Sequence, residues 1–386
     1  MSEERTAVPY WRLSSFYFFY FGALGVLLPY WAVLLKHRGF NAIEIGELMA
    51  LLVATKIVAP NIWGWIADHA GLHMPIIRAA SLLTVVGFVG VFFAEGFWAM
   101  AAVMALFSFF WNAALPQFEV VTLNHLGAAD HRYGVVRLWG SVGCIITVLS
   151  VGVLLDGYGP WILPWAVLAS FLGIWLSSLV TPDVRILESH EDHGSLWGVI
   201  RGPQVLALFA VVFLLQASHG PYYTFYTLYL EDHGYNAGVI GSFWALGVVA
   251  EIGVFLVMSR WLGRFGPYRL MSAALALTVL RWVLIAWFPG SFGLMVFAQL
   301  LHAASFGIGH AVAIHWVHRF FRKSHQARGQ ALYSSVSFGA GGAVGSLFSG
   351  YFWDSLGPGW TYTLAAGIAL TALGIAWLGL REGRGA

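Results

Sequence analysis

The chain has 386 residues, of which 59% are hydrophobic and only 10% are charged, and its mean hydropathy is +0.75. A water-soluble protein needs more charged side chains than this to cover its surface. The composition therefore excludes that class and predicts an integral membrane protein. The net charge of +2 gives no sign of a nucleic-acid partner, and the single cysteine, Cys144, excludes a disulfide framework.

Twelve apolar segments are long enough to cross a membrane, for which a helix needs about 20 residues. They are 13–35, 43–66, 75–94, 97–122, 134–155, 161–180, 204–230, 237–262, 268–288, 292–318, 329–352 and 360–380. Acidic residues precede the first segment, which contains no small-residue cleavage site, so we expect a retained helix and not a signal peptide. The predicted fold is an all-α membrane protein.

The positive charges predict the orientation of these spans. With the N-terminus in the cytoplasm, fifteen of the twenty lysines and arginines fall on cytoplasmic loops or tails, and only Lys36 and Arg38 fall outside. The longest polar stretch, residues 181–203, is the predicted linker between an N-terminal six-helix bundle, 1–180, and a C-terminal one, 204–386. The other loops are too short for a soluble catalytic or sensing domain.

An internal repeat supports this division into halves. GFNAIEIGELMALLVATK, from Gly39, matches GYNAGVIGSFWALGVVAE, from Gly234, at eight of eighteen positions. Two such halves resemble the layout of the major facilitator transporters, whose site lies between the halves near the membrane midplane. The repeat aligns Lys56 with Glu251, each roughly 20 Å from its helix start. A charge at that depth costs at least roughly 2.5–3.5 kcal/mol, so it should face a partner or a water-filled cavity.

Four further charged or titratable residues lie inside the predicted spans. Arg281 and His302 reach a similar depth in neighbouring spans, and His302 either serves as a hydrogen-bonding group or carries a proton. Glu119 and Arg137 lie toward the cytoplasmic side of consecutive spans. They form a structural ion pair, a substrate site, or each of these at different steps of transport.

The seventh span presents an aromatic face in the stretch SHGPYYTFYTLYL. The residues that share this face are His219, Tyr222, Tyr226 and Tyr229. They form either a cavity wall suited to stacking on a ring or an interfacial aromatic belt, and we favour the wall for His219 and Tyr222.

The sequence contains no motif for a nucleotide, a metal ion or covalent catalysis. It lacks the phosphate-binding glycine loop with its lysine, the H-E-x-x-H pattern and any cysteine or histidine spacing typical of metal sites. We therefore expect no cofactor and no enzymatic activity, and the expected energy source is an ion gradient.

Several stretches resemble the phenylpropionate permease group of the major facilitator superfamily, bacterial transporters of aromatic acids. The likeness is carried, in chain order, by LPYWAVLLKHRGF, YGVVRLWGS, QASHGPYYTFY, WALGVVAEI, VLRWVL and QLLHAA. More distantly, the chain resembles the lactose permeases and the nucleoside symporters. The resemblance implies that Glu119, Arg137 and Glu251 contact the substrate. It also implies that Arg281 and His302 join a proton-coupling cluster.

Two positions bear on how far the resemblance extends. GWIADHAG, residues 64–71, is similar to the family loop between the second and third helices, which implies a gating role for Asp68, although the usual basic tail is degraded to LHMPIIR. In lactose permeases a proton-carrying glutamate follows the matching histidine by three positions, where this chain has Ser305. The proton is then expected on Glu251 or Glu119.

These observations predict a proton-coupled symporter of a small aromatic carboxylate, acting as a monomer in a bacterial inner membrane. Three cations inside the spans outnumber two acids, which suits an anionic substrate. In this hypothesis Lys56 or Arg281 receives the carboxylate, while His219 and Tyr222 hold the ring. The alternative keeps the fold but assigns a neutral sugar or nucleoside as the substrate.

Overall fold

The computed structural model describes residues 8–183, 197–321 and 325–381, apart from the side chains of Asp68, Ala128, Asp130 and Ala327. Twelve long helices follow one another through these residues. They are α1 (Tyr10–His37), α2 (Ala42–Ala70), α3 (His73–Phe92), α4 (Gly96–Leu126), α5 (Tyr133–Tyr158), α6 (Ile162–Val180), α7 (Pro203–Glu231), α8 (Ala237–Phe265), α9 (Pro267–Trp287), α10 (Phe292–Phe320), α11 (326–353) and α12 (Pro358–Gly379). The ends of all twelve lie within four residues of the predicted spans.

Ten of the twelve helices are both long and apolar enough to cross a membrane on their described residues, and α2 and α11 supply the other two predicted spans. Consecutive helices run in opposite directions, so the start of each odd-numbered helix and the end of each even-numbered helix lie at the same face. We call the face at which α1 begins and α12 ends the terminal face, and the other the distal face. The predicted bundle boundaries at 180 and 204 stay a prediction, and residues 184–196 of the predicted linker lie outside the described part.

Three helices of the second half are irregular, which matters because the candidate site lies there. α7 is broken at His219, between Pro203–Ser218 and Gly220–Glu231, and Pro221 follows the break. α10 contains a π-helical segment at Ala303–Ile308, and α11 contains another at Ser335–Gly341. A π-helical turn inserts an extra residue into a helix and often marks a functional site.

The hydrophobic core shows how the two halves meet. One buried cluster runs through α1–α6 and continues into the distal parts of α7–α12, whereas a second cluster contains only residues from the terminal part of the second half. Six hydrogen bonds, one of them also an ion pair, join residues 8–183 to the later described residues near the distal face. The described chain is therefore closed at its distal face.

Asp156, at the distal end of α5, joins the halves by capping a helix of the other half. Its carboxylate accepts hydrogen bonds from the backbone N–H groups of Ala237 (2.8 Å) and Gly238 (2.9 Å). These are the first residues of α8, where free N–H groups and the helix dipole favour a negative charge. The contact ties α5 to α8, and the halves cannot separate at the distal face without breaking it.

The two repeated helices share one N-terminal cap and differ in a second one. Asn41 and Asn236 cap α2 and α8 in the same way, but α2 also has Glu44, which returns a bond to the Asn41 N–H. In α8 the matching residue is Val239, which cannot return such a bond, and Asp156 of the other half instead accepts from the first two N–H groups of the helix.

Replacing Asp156 with asparagine should weaken the distal closure. The amide loses the negative charge and one acceptor oxygen, which costs about 1–2 kcal/mol at a helix N-terminus. The population open at the distal face should rise about 5- to 30-fold, measured as labelling of a cysteine introduced at Val148, in a Cys144→Ser background, by an impermeant maleimide.

Asp354→Asn is the matched control, because Asp354 ends α11, is exposed, and makes no hydrogen bond or ion pair with another described residue. Equal labelling of both variants would contradict a role for the Asp156 cap.

Candidate functional site

The first half contributes three charged side chains to the middle of the molecule, Lys56 from α2, Glu119 from α4 and Arg137 from α5. All three are half-buried. Within the described ranges, no carboxylate lies within 4.0 Å of Lys56 or Arg137, and Lys56 has no hydrogen-bond partner there. Two cations at mid-depth therefore have no carboxylate in salt-bridge contact among the described residues.

Arg137 is held by aromatic rings. Its guanidinium carbon lies 3.7 Å from the ring centroid of Phe21 and 5.5 Å from that of Tyr17. Glu119 instead accepts a hydrogen bond from the hydroxyl of Tyr133, at 3.1 Å. The structural ion pair between Glu119 and Arg137, one of the predicted alternatives, is not formed in this state. Cation–π contact leaves the N–H groups of Arg137 available to a ligand.

Arg281 of α9 is the charged centre of the second half, and it is fully buried. Its Nη1 donates to Ser305 Oγ (2.9 Å) and its Nε to the carbonyl of Ala298 (3.1 Å). The guanidinium lies between the rings of Tyr222 and Trp282, at 4.2 and 4.6 Å from their centroids. Neutral acceptors and ring faces thus stabilise this buried charge.

Gln299 of α10 is a site residue that the sequence analysis missed. Its Oε1 accepts from Tyr222 (3.0 Å) and Arg281 Nη2 (3.4 Å), and its Nε2 donates to the hydroxyl of Tyr226. It is fully buried and joins α7, α9 and α10. A single glutamine in an apolar stretch is the only sequence signal that could have indicated it.

Glu251 of α8 faces His302 of α10. His302 Nε2 lies 3.8 Å from Glu251 Oε2, and 17% of the Glu251 side chain is exposed. The other ring nitrogen, Nδ1, is buried without a partner among the described residues. Arg137 acts electrostatically on Glu251 from the other half. The acid at the repeat position of Lys56 therefore lies between a histidine and a free cation.

The remaining predicted residues lie deeper or outside the described part. His219 and Tyr222 are at most 1% exposed, so neither forms an open cavity wall in this state. Tyr229 is buried and donates to the carbonyl of Ala286. Asp68 lies in α2, which extends to Ala70 before the left-handed Gly71 ends it, so the predicted loop is mostly helix. The side chain of Asp68 lies outside the described residues.

Comparison with known proteins now decides the family. The family model described as "MFS_1 like family" matches residues 10–364. The chain belongs to this family. The major facilitator fold inferred from the sequence motifs is thereby confirmed, as is the resemblance to the phenylpropionate group. The chain is a multi-pass membrane transporter of the major facilitator type.

Similar members of the superfamily differ in what their names say they carry. The chain is 28% identical to a probable 3-phenylpropionic acid transporter of Escherichia coli (strain K12), covering 92% of this chain and 94% of that one. It is 26% identical to a maltose permease of Geobacillus stearothermophilus, covering 87% and 86%. The crystal structure of the nucleoside transporter NupG matches with a TM-score of 0.84 at 16% identity, covering 97% of this chain and 99% of NupG. That last likeness concerns the fold alone.

Proposed function

We propose that this MFS_1-like transporter moves a small aromatic carboxylate, of the phenylpropionate kind, together with a proton. It works by alternating access, as a monomer in a bacterial inner membrane with both termini in the cytoplasm. The observation that best supports the proposal is the pair of mid-depth cations, Lys56 and Arg137, that have no carboxylate in salt-bridge contact among the described residues.

A substrate carboxylate would supply the missing counter-charge. An unpaired cation inside a membrane protein is costly, so a site that keeps two of them is suited to an anion. Arg137 can donate two parallel N–H bonds to a carboxylate, and Lys56 can add a point charge from α2. Arg281 is fully buried, so in this proposal it orients the second half and does not receive the carboxylate in this state.

The aromatic part of the substrate would lie against rings of the first half. Phe21 and Tyr17 of α1 already flank the guanidinium of Arg137. Tyr20, on the same helix, stacks on Trp111 of α4 at a centroid distance of 5.1 Å. Offset stacking on such rings contributes about 0.5–1.5 kcal/mol beyond burial, which favours an aromatic over an aliphatic acid.

Glu251 is the proposed proton carrier. As an anion it balances Arg137 electrostatically and lies 3.8 Å from His302. When Glu251 binds a proton, Arg137 loses that charge and a substrate carboxylate can replace it. One negative charge is exchanged for another, so loading of the proton and loading of the substrate depend on each other.

A neutral sugar or nucleoside is the second candidate substrate. The observation in its favour is the Glu119–Tyr133 pair, which presents a carboxylate and a hydroxyl beside Arg137 and could bind hydroxyl groups. Similarity to a maltose permease points the same way. In that case the two free cations would have no anionic ligand.

The decisive experiment is uptake of labelled 3-phenylpropionate into proteoliposomes under an inward proton gradient. Wild type should accumulate the acid above its outside concentration. Glu251→Gln should lose accumulation, because it cannot release a proton, while it still exchanges substrate at equal proton concentration on both sides.

Competition by unlabelled solutes separates the two candidates. Aromatic carboxylates should compete with the labelled acid, and maltose and nucleosides should not. Uptake of a neutral solute that phenylpropionate does not inhibit would reject the anion proposal and favour the alternative.

A further inference from the structure

A small cavity in the second half lies between three helices, and its wall includes Ser305, the hydrogen-bond partner of Arg281. Its polar lining comes from Gln216 of α7, Ser305 and His310 of α10, and Tyr333 and Ser337 of α11. The volume open to the centre of a water molecule is about 10 Å³, close to what one water needs, and several polar groups are within its walls. Both π-helical segments contribute to it.

The hydroxyl of Ser305 connects this cavity to a buried histidine. His219 is fully buried, and its Nδ1 lies 2.7 Å from the carbonyl of Leu215. Because a carbonyl only accepts, Nδ1 carries the hydrogen and Nε2 is a free base in the neutral ring. Nε2 lies 3.4 Å from Ser305 Oγ.

Ser305 is suited to pass a proton because its one hydroxyl hydrogen has two acceptors. The carbonyl of His302 lies 3.3 Å from Oγ, and His219 Nε2 lies 3.4 Å from it, while Arg281 Nη1 donates to the same oxygen. A hydroxyl rotates between acceptors at little cost. The charged and titratable groups that face His219 are Arg281, His302 and Tyr223. No carboxylate among the described residues pairs with it.

A second titratable pair lies on the other wall of the cavity. His310 Nδ1 and the hydroxyl of Tyr333 are 2.8 Å apart. Tyr333 is buried and His310 is half-buried, so this pair lies between the cavity and more exposed space. His310 is also nearer than Ser305 to the end of α10 at the terminal face.

We propose that the second half carries a proton-release route that runs from His219 through Ser305 and one water to the Tyr333–His310 pair. The proton on His219 Nε2 moves to Ser305 Oγ as the hydroxyl hydrogen of Ser305 moves to the water. The water gives a proton to Tyr333, which gives its own to His310 Nδ1. The half-buried His310 side chain then turns toward the terminal face and releases that proton from Nδ1, so it keeps the hydrogen on Nε2. Each group ends with the hydrogens it needs for the next cycle once the chain of hydroxyls and water reorients.

Arg281 disfavours a proton on His219 in this state, and the distal closure leaves the terminal face for its release. Arg281 shares Ser305 with His219, so a proton on His219 would put two positive charges around one hydroxyl. The state closed at the distal face therefore favours release toward the terminal face. The route rests on the proposed proton symport, and it leaves the space between the halves to the substrate.

The test compares proton movement with substrate exchange in proteoliposomes, using 3-phenylpropionate as the probe. The variants are His310→Gln, whose amide can still bond Tyr333, and Tyr333→Phe. Both should keep equilibrium exchange within about twofold of wild type and lose at least tenfold in substrate-driven proton uptake, followed with an internal pH dye. Tyr229→Phe, which also loses a buried tyrosine bond but lies off the route, should match wild type.

The outcomes distinguish the route from the function on which it rests. Variants that move protons at the wild-type rate overturn the route alone. Equal losses of exchange and proton movement show a packing role and also overturn it. A wild type that transports phenylpropionate without protons, or does not transport it, rejects the proposed function itself.

Discussion

Arg137→Gln is expected to weaken the binding of an aromatic carboxylate about 30- to 150-fold. Losing charge-assisted hydrogen bonds to a carboxylate costs about 2–3 kcal/mol, and each 1.4 kcal/mol is a factor of ten. The measurement is equilibrium binding of labelled 3-phenylpropionate to purified protein. Glutamine removes the charge and places its remaining donor nearer the backbone, so both the lost charge and the lost bidentate bond contribute to the result.

The fold should tolerate this substitution, because Arg137 is held by ring faces and not by a carboxylate that would be left unpaired. Arg132→Gln is the matched control, since Arg132 is an exposed arginine just before the same helix. Arg137→Lys should recover part of the affinity, because it keeps the charge without the bidentate geometry. A change below about threefold in Arg137→Gln would count against an anionic substrate.

The fold could be predicted from the sequence because the protein spans a membrane. Every backbone polar group must be bonded within the bilayer, so apolar length alone locates the helices, and all twelve were predicted. The repeat also indicated how deep two charges lie in the membrane, because it aligns Lys56 with Glu251. Both signals, the apolar length and the repeat, lie within single helices and do not depend on contacts between helices.

The candidate site was less predictable because its partners come from distant parts of the chain. The sequence left a Glu119–Arg137 ion pair open as one alternative, and in this state Tyr133, one turn before Arg137 on α5, binds Glu119. Phe21 approaches Arg137 from α1. No local sequence pattern predicts such contacts between distant helices.

The two π-helical segments were also absent from the sequence analysis, since their residues do not differ in type from those of an ordinary helix. They move Ser305 and Ser337 toward one cavity. Tertiary packing, and not helix propensity, decides where such a segment forms.

Gly46→Val should have the largest effect on the transport cycle, because Gly46 lies where α2 meets α11 at the distal closure. A Cβ at this position would lie 2.7 Å from Gly350 Cα and 2.8 Å from the carbonyl of Ser346. Both are backbone atoms, so the helices must move apart. Overpacking of this kind costs about 1–3 kcal/mol or more, enough to change a two-state population 5- to 150-fold.

The expected result is a protein that opens at the distal face and closes there poorly. Spin labels at His37→Cys and His233→Cys, exposed positions in different halves, should report longer distances in Gly46→Val than in the parent with Cys144→Ser. Net transport should fall about 100-fold, because each cycle must pass through the closed state. Gly253→Val is the control, since nothing lies within 4 Å of a Cβ built there.

Gly46→Val and Asp156→Asn should differ in kind, although both act at the distal face. The asparagine removes an attraction across α5 and α8, so closure stays possible and transport falls only modestly. The valine adds a backbone overlap across α2 and α11, so closure itself is obstructed. Unchanged label distances in Gly46→Val would mean that α2 and α11 accommodate the valine while the distal face stays closed. Alternating access would then have to depend on the α5–α8 side.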